Sequence, residues 1–128
     1  MGSEPTEIHP DGTLVWRNDR GQVHREDGPA LIYPDGEQYW CINGEFHRED
    51  GPAVIYPDGI QKWCINGELH REDGPAVIYS DGEQEWHING HDITYEIKEW
   101  AKDRDIHLNN LSDIDKMIIS MEWRNYGK

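Results

Sequence analysis

Three copies of the string His-Arg-Glu-Asp-Gly-Pro-Ala contain the residues of this chain that could do chemistry. They begin at His24, His47 and His70, so each copy follows the last after 23 residues. Each copy offers an imidazole, a guanidinium and two carboxylates, which are groups that transfer protons or bind metal ions. A catalytic site is normally singular, whereas a regular spacing indicates a repeat architecture. The pattern therefore favours a structural role over a ligand contact, and a ligand contact over catalysis.

We predict that these strings join neighbouring repeats. The aspartate can accept the backbone N–H groups of its own turn, and the arginine can pair with a carboxylate of the next unit. A tryptophan recurs four residues after Gly12, Gly36, Gly59 and Gly82, each of which follows an aspartate, and supplies large apolar surfaces between the units. The predicted repeat-packing residues are Trp16, Trp40, Trp63, Trp86, His24, Arg25, Asp27, His47, Arg48, Asp50, His70, Arg71 and Asp73.

The remaining histidines and the cysteines predict neither a metal site nor a disulfide. His87, His91 and His107 match no spacing of a zinc module. Cys41 and Cys64 occupy equivalent positions of consecutive repeats, too far apart across a hairpin to be bridged. Two free thiols indicate a reducing, cytosolic compartment, and the acidic N-terminus does not resemble a secretory signal. Since phosphate loops and nucleophile elbows are missing as well, we expect no cofactor, no catalytic residue and no enzyme.

Short strands and tight turns must position these residues. Residues 53–56 are rich in β-forming types, and the Pro-Asp-Gly sequence after them predicts a reverse turn. Residues 60–65 predict a returning strand. The next pair, Asn-Gly, predicts a type I′ hairpin turn, because both of its positions need a positive φ. Residues 68–71 predict a short third strand.

Alternation along the returning strand assigns its two faces. One set, which includes Gln61, Trp63 and Ile65, hardly changes between copies and is predicted to pack between hairpins. The other set changes from copy to copy and is predicted to face water or a partner. The predicted partner-binding strip on this face consists of Glu37, Tyr39, Lys62, Glu83, Glu85 and His87. A solvated face without a partner would give the same pattern, and the pattern leaves both interpretations open.

After Gly90 the strand pattern gives way to helical spacing. Apolar residues recur at this spacing from Ile93 onward, with Asp92 or Thr94 predicted as the cap. Ser112 opens a second helix with the spacing of a capping box. Because the last unit of an array must have its sheet edge covered, these two helices are predicted to cap the array.

The second predicted helix also suggests a dimer. Its apolar stripe consists of Ile114, Met117, Ile118 and Met121. With Trp123 the helix is nearly apolar all round, which is typical of a buried or paired helix. A homodimer through the C-terminal helices is therefore an alternative role, with the oligomer face Met117, Ile118, Met121 and Trp123.

The predicted fold is mainly β (α+β), an antiparallel β-hairpin repeat array of 23-residue period with a C-terminal two-helix cap. Residues 1–8 are predicted to be disordered, residues 9–90 to form the array and residues 91–128 to form the helical cap. Residues 1–3 are either native or the remnant of an expression tag.

The 23-residue period, the Asp-Gly and Asn-Gly turns and the aromatic strand positions resemble MORN-type repeats. The string at residues 47–59 is similar to short repeat proteins of bacteriophages and large DNA viruses. The resemblance covers residues 9–90 and implies a β-hairpin array that binds partners rather than an enzyme. Ordinary MORN units carry His-Gly or Lys-Gly where this chain has His-Arg-Glu-Asp-Gly, so the lipid binding proposed for some MORN arrays is not expected.

The net charge of −14 is concentrated in the repeats, because residues 24–90 contain 14 acids and four bases. Such a field repels nucleic acid and anionic membranes and attracts basic protein surfaces, although solubility alone also explains an acidic surface. We therefore expect a non-catalytic protein-binding module, a phage-encoded inhibitor of a host defence protein that acts through an acidic surface in the host cytoplasm. Sequestration of a small nucleotide-type signalling molecule and a structural or assembly role are the alternatives.

Overall fold

The computed structural model describes residues 4–128, and every strand within them contains two residues. In chain order the elements are β1 (Glu7–Ile8), β2 (Leu14–Val15), β3 (Leu31–Ile32), β4 (Gln38–Tyr39), β5 (Cys41–Ile42), β6 (Glu45–Phe46), β7 (Val54–Ile55), β8 (Gln61–Lys62), β9 (Cys64–Ile65), β10 (Glu68–Leu69), β11 (Val77–Ile78), β12 (Gln84–Glu85), β13 (His87–Ile88), β14 (His91–Asp92), α1 (Thr94–Asp103) and α2 (Asp113–Trp123). Residues 1–3, which are either native or the remnant of an expression tag, lie outside the described residues.

One long antiparallel sheet runs through the array in the order β1-β2-β3-β4-β7-β8-β11-β12. Three separate ladders, β5-β6, β9-β10 and β13-β14, form a small hairpin in each unit. Two helices follow the last hairpin. The predicted antiparallel hairpin array with a two-helix C-terminal cap is therefore confirmed.

The turns have the predicted backbone conformation. In the small hairpin of the middle unit, Asn66 has a φ of 50° and Gly67 a φ of 82°, as a type I′ turn requires. The preceding Pro-Asp-Gly turn is closed by a 3.0 Å hydrogen bond from Tyr56 N–H to the Ile60 carbonyl. Asp58 also accepts the Ile60 N–H at 3.1 Å, so the aspartate side chain holds the turn from within.

The prediction that residues 1–8 are disordered is wrong for β1. Glu7 pairs with Val15 and Ile8 with Leu14, so β1 forms the first edge of the long sheet. Arg17 Nε donates to a Glu7 carboxylate oxygen at 2.7 Å and fixes the strand further. A strand of two residues is too short to give a periodic signal in sequence, and only its pairing with β2 defines it.

The prediction of one continuous strand over residues 60–65 is also wrong, because the chain turns a corner at Trp63. The Trp63 N–H donates to the Ala76 carbonyl of the next unit at 2.7 Å. Its carbonyl accepts from the His70 N–H at 3.0 Å. The residues before the corner belong to the long sheet as β8, and those after it to the small hairpin as β9, so one strand serves two sheets.

This corner changes the burial of the varying face. Cys41 and Cys64 are each only 4% exposed, and His87 is 8% exposed. The prediction that this whole face turns to water is therefore wrong for the residues after the corner. Ala53 and its counterparts in the neighbouring units are fully buried, and these small side chains allow the small hairpins to pack closely on the sheet.

The helices cover the last unit through a separate apolar core. Its fully buried members are Trp86, Ile88, Ile93, Ile97 and Ile119. This core joins the last hairpin, α1 and α2, as a cap on the array requires. Within the described residues, no helix is both long and apolar enough to cross a membrane.

The helix starts differ from one another in how they are capped. Ser112 accepts the Asp115 N–H at 3.0 Å, and Asp115 accepts the Ser112 N–H at 3.2 Å, which confirms the capping box of α2. The N-cap of α1 is Ile93, so the prediction of Asp92 or Thr94 as the cap is wrong. Asp92 instead accepts the backbone and hydroxyl hydrogens of Thr94, because the tertiary core places Ile93 at the helix start.

The apolar stripe of α2 faces solvent. Ile114, Met117, Ile118 and Met121 are all at least 40% exposed, whereas Ile119 is fully buried. Trp123 belongs to the buried side, where its ring lies edge-on to another tryptophan of the cap core. Its assignment to the exposed oligomer face is therefore wrong, since one helix face packs inward through Ile119 and Trp123 and the opposite face remains open.

Candidate partner-binding groove

The arginine of each His-Arg-Glu-Asp string stacks on a tryptophan. In the middle copy, the guanidinium carbon of Arg48 lies 3.7 Å from the centre of the Trp40 ring. The equivalent contacts are Arg25 on Trp16 at 4.1 Å and Arg71 on Trp63 at 4.0 Å. A guanidinium over an indole face gains both cation–π attraction and apolar contact.

Hydrogen bonds fix the same guanidinium to its own turn. Arg48 Nε donates to Asp50 at 3.1 Å, and another guanidinium nitrogen donates to the Pro52 carbonyl at 3.1 Å. The prediction of a carboxylate from the next unit is therefore wrong. The prediction that this aspartate binds turn N–H groups fails as well, since that contact is made by the aspartates of the Pro-Asp-Gly turns, such as Asp58.

The glycine of the string is needed because the guanidinium lies directly over it. A Cβ atom placed on Gly51 would be 2.8 Å from the guanidinium carbon of Arg48. Real Cβ atoms do not approach other heavy atoms this closely, so any side chain here would displace the arginine. The same approach recurs at Gly28 and Gly74.

The histidine of each string reaches the next unit. His47 Nδ1 accepts the Asn66 backbone N–H at 3.0 Å, and its Nε2 lies 3.1 Å from a Glu49 oxygen. Since Nδ1 is the acceptor, Nε2 carries the proton and donates to the glutamate. The same link joins His24 to Asn43 and His70 to Asn89, each at 2.9 Å. These histidines connect consecutive units and are not free to act as general bases.

The charges that reach solvent are the carboxylates. Glu49 and Asp50 are 81% and 86% exposed, whereas Arg48 between them and the tryptophan is only 21% exposed. The Arg25 guanidinium is the main reason that the pKa of Asp27, the equivalent aspartate of the first string, lies below its ordinary value. In each string the arginine is therefore covered by its contact with a tryptophan, and the carboxylates are exposed to solvent.

Two consecutive strings border a groove of about 790 Å³, which we call the turn groove. Residues 48–51 and residues 70–73 line it, together with Trp63, Ile65 and Glu68. Its lining includes five carboxylates and three basic side chains, and two of these bases are the stacked arginines. The groove thus combines an apolar contact surface with an accessible negative rim.

Three members of the predicted partner-binding strip, Tyr39, Lys62 and Glu85, lie in one row across the long sheet, with a buried valine paired between each two. Tyr39 is half-buried, where its ring contacts Tyr33, Phe46 and Tyr56. Its hydroxyl donates to Glu37 at 2.6 Å. Burial and the Glu37 carboxylate together raise the pKa of Tyr39 far above its ordinary value.

The next member of the row reaches this aromatic cluster. Lys62 extends over the Tyr56 ring, with Nζ 5.8 Å from its centre. Glu83 is exposed at the turn before β12, and Glu85 lies 3.0 Å from the buried His87. The strip therefore runs from an aromatic part around Tyr39 to a polar part around His87, and only Glu83 among its members is exposed.

Sequence reasoning missed the exposed carboxylates of the strings as a surface, above all Glu49 and Glu72. Only the aspartates of the strings are among the predicted repeat-packing residues, and the glutamates have no predicted role, because a string of alternating charges does not reveal which charge is covered. One signal was present, since every arginine of a string has a tryptophan a short distance before it in sequence, at 8 or 9 residues.

No protein-family model, curated protein or solved structure is detectably similar to this chain. Function is therefore inferred from the contacts and charges of the turn groove and its surroundings.

Proposed function

We propose that this chain is a non-catalytic protein-binding module that binds a basic surface of a partner protein through the turn groove. One observation carries the proposal: the arginines of the groove are held against tryptophans, while Glu49 and Asp50 project into solvent. A basic partner therefore meets carboxylates first, and Lys128 is the one lysine or arginine of the groove lining that is not stacked on a tryptophan.

The surrounding charge supports the same partner class. Residues 24–90 contain 14 acids and four bases, so the field around the groove attracts a positive surface over a distance of about 10 Å at moderate salt. Electrostatic attraction accelerates association, and the shape and apolar lining of the groove then select among basic partners. Trp63 and Ile65 supply that lining.

Within this proposal the partner is a host defence protein, and the chain is a phage-encoded inhibitor that acts in the host cytoplasm. Nucleic-acid-binding surfaces are basic, because they neutralise phosphates with lysine and arginine. A row of exposed carboxylates presents such a surface with a similar pattern of negative charge. The sequence resemblance to MORN-type repeats of viral proteins supports this origin and a binding role.

Sequestration of a small nucleotide is a weaker proposal for the turn groove. A nucleotide is an anion, and the exposed charges of Glu49, Asp50 and Asp73 would repel it. The arginines that could bind its phosphates are already stacked and hydrogen-bonded. A shift in melting temperature with one member of a nucleotide panel would restore this alternative.

We also propose that the exposed stripe of α2 pairs with a second copy of the chain. When two copies of α2 lie antiparallel, Ile114 falls opposite Met121 and Met117 falls opposite Ile118. The stripe is thus complementary to itself, which an isologous dimer interface requires. Four exposed apolar side chains on one helix face are also costly to leave in water. A larger defined oligomer would favour the structural or assembly role instead.

The proposed binding is tested by capturing a partner from host lysate, identifying it and measuring its affinity for designed variants. The test variant is Glu49→Gln with Glu72→Gln, in which each amide oxygen can still accept the histidine hydrogen bond of its string. The matched control is Glu96→Gln with Glu99→Gln, two exposed acids of α1.

We expect the test variant to bind at least about fivefold more weakly and the control to bind as the wild type does. Equal affinity of the test variant and the wild type for the identified partner would show that the turn groove is not the binding surface.

A further inference from the structure

A second cluster of polar side chains lies at the end of the array, away from the turn groove. Glu85 of β12, His87 of β13 and Asp92 of β14 each offer a ligand atom, and these atoms lie within 4.8 Å of one another. His87 and Asp92 are direct partners in their ladder. His87 Nε2 lies 3.0 Å from Glu85 Oε1. Within residues 4–128, this is the one group of three or more metal-ligating side chains whose ligand atoms lie this close together.

The preceding units show that the fold does not require these residue types. The equivalent triplets are Tyr39, Cys41 and Phe46 in one unit, and Lys62, Cys64 and Leu69 in the next. All three positions therefore change together to carboxylate, imidazole and carboxylate in the last unit alone. Unrelated surface variation would not be expected to place three metal ligands at adjacent positions of a single unit.

The imidazole is buried and incompletely satisfied. His87 is 8% exposed, and its Nδ1 has no hydrogen-bond partner among the described residues. A buried polar atom without a partner is costly, so the protein alone does not fully satisfy this imidazole. Nε2 is the nitrogen that faces Glu85, so it is the one that would bind an ion shared with the carboxylates, with the ring proton on Nδ1.

The two carboxylates are oriented by hydrogen bonds from outside the cluster. The Tyr79 hydroxyl donates to Glu85 Oε2 at 2.9 Å. The Thr94 N–H and hydroxyl donate to Asp92 Oδ1 at 2.9 and 2.6 Å. These bonds leave Glu85 Oε1, which faces His87, and Asp92 Oδ2 as the oxygens for an ion, and metal ligands are typically oriented in this way.

We propose that Glu85, His87 and Asp92 bind a divalent first-row transition metal ion of the Zn²⁺ or Co²⁺ type. One imidazole and two carboxylates are a suitable donor set for such ions, and the two negative charges neutralise the ion. Asp92 is exposed, so the ion can enter from solvent. The bound ion joins β12, β13 and β14 beside the start of α1, and therefore stabilises the junction between the array and its helical cap.

Histidine spacing alone did not predict this site. His87 was considered together with His91 and His107, whereas the structure surrounds it with carboxylates. Glu85 lies two residues before it, and Asp92 reaches it only because the hairpin pairs β13 with β14.

The test uses the full chain without a polyhistidine tag, first treated with a chelator and then titrated with Co²⁺ and with Zn²⁺. Two variants remove one ligand each, Glu85→Lys and Asp92→Leu. Both introduce the residue that the array already accommodates at the equivalent position of the preceding unit, Lys62 or Leu69. The control variant is His9→Gln, which removes a histidine paired with Glu7 at 3.0 Å at the other end of the sheet.

We expect one equivalent of Co²⁺ to bind and to give visible ligand-field absorption, and Zn²⁺ to raise the melting temperature. Glu85→Lys should lower the metal affinity at least tenfold while keeping the melting temperature of the metal-free wild type, and the His9 variant should bind normally. Failure of the wild type to bind either ion, or unchanged affinity in Glu85→Lys, would overturn the proposal. If Asp92→Leu is unstable because Thr94 loses its partner, Glu85→Lys alone decides.

Discussion

The guanidinium carbon of Arg48 lies 3.7 Å from the centre of the Trp40 ring, the shortest of three such contacts along the array. This contact covers the positive charge of the string and leaves Glu49 and Asp50 as the charges that solvent meets. The stability of the array and the proposed binding surface therefore depend on the same arginine.

Replacement of this arginine by lysine should destabilise the fold although the charge is kept. In Arg48→Lys, the planar stacking on Trp40 and the forked hydrogen bonds to Asp50 and Pro52 are lost. We expect a loss of about 1–2 kcal/mol in the free energy of unfolding, measured by urea denaturation. Arg20→Lys, at an exposed turn position, serves as the control and should change little. Equal stability of the two variants would refute the structural role of the stack.

A small side chain at Gly51 should destabilise the fold by disturbing the same contact between Arg48 and Trp40. The added Cβ of Gly51→Ala would displace Arg48 from its position over the turn. The destabilisation should therefore be about 1 kcal/mol, similar to the loss of the stack itself. In a double-mutant cycle with Arg48→Lys, the second substitution should cost much less than it does alone, since the contact is already lost. Strict additivity of the two free energies would contradict the shared cause.

The two cysteines should be inert in the folded protein at neutral pH. Burial raises the pKa of each thiol to about 11, so both are protonated at neutral pH. At pH 8 only about one thiol in a thousand is ionised, and the thiolate is the reactive form. We expect slow labelling of Cys41 and Cys64 by a thiol reagent, with rapid labelling of both after addition of denaturant. Fast labelling under native conditions would show that the small hairpins open readily.

Self-association through α2 should become stronger as the salt concentration rises, whereas partner binding should become weaker. Two copies of a chain with a net charge of −14 repel each other, so screening should favour an apolar dimer. Sedimentation should show more dimer at high salt for the wild type, and only monomer for Met117→Lys. Ile114 and Met121 lie on the same exposed stripe, so charged residues there should act alike. A dimer that persists in the Met117 variant would place the interface elsewhere.

Features that depend on a few adjacent residues were predictable from sequence. The Asn66-Gly67 turn follows from local backbone preference, and the capping box at Ser112 from local hydrogen bonding. The 23-residue period then extends each local prediction to every unit. The covering of the last sheet edge by helices was predictable as well, because the repeat pattern stops at Gly90 and helical spacing follows.

Features decided by contacts between units were not predictable in the same way. The corner at Trp63 depends on its hydrogen bonds to Ala76 and His70. The burial of Cys64 follows from that corner, and the stacking of Arg48 on Trp40 depends on how two turns meet. The charges of the turn groove were visible in sequence, but which of them face solvent was fixed only by these tertiary contacts.

The measurement that tests the central claim most directly is the affinity of the wild-type chain for its captured partner at increasing salt. If carboxylates such as Glu49 and Asp50 bind a basic surface, the affinity should fall at least tenfold between about 0.05 M and about 0.5 M salt. The Glu49→Gln and Glu72→Gln variant should show a shallower decline. An affinity that stays unchanged over this range would contradict binding through the acidic turn groove.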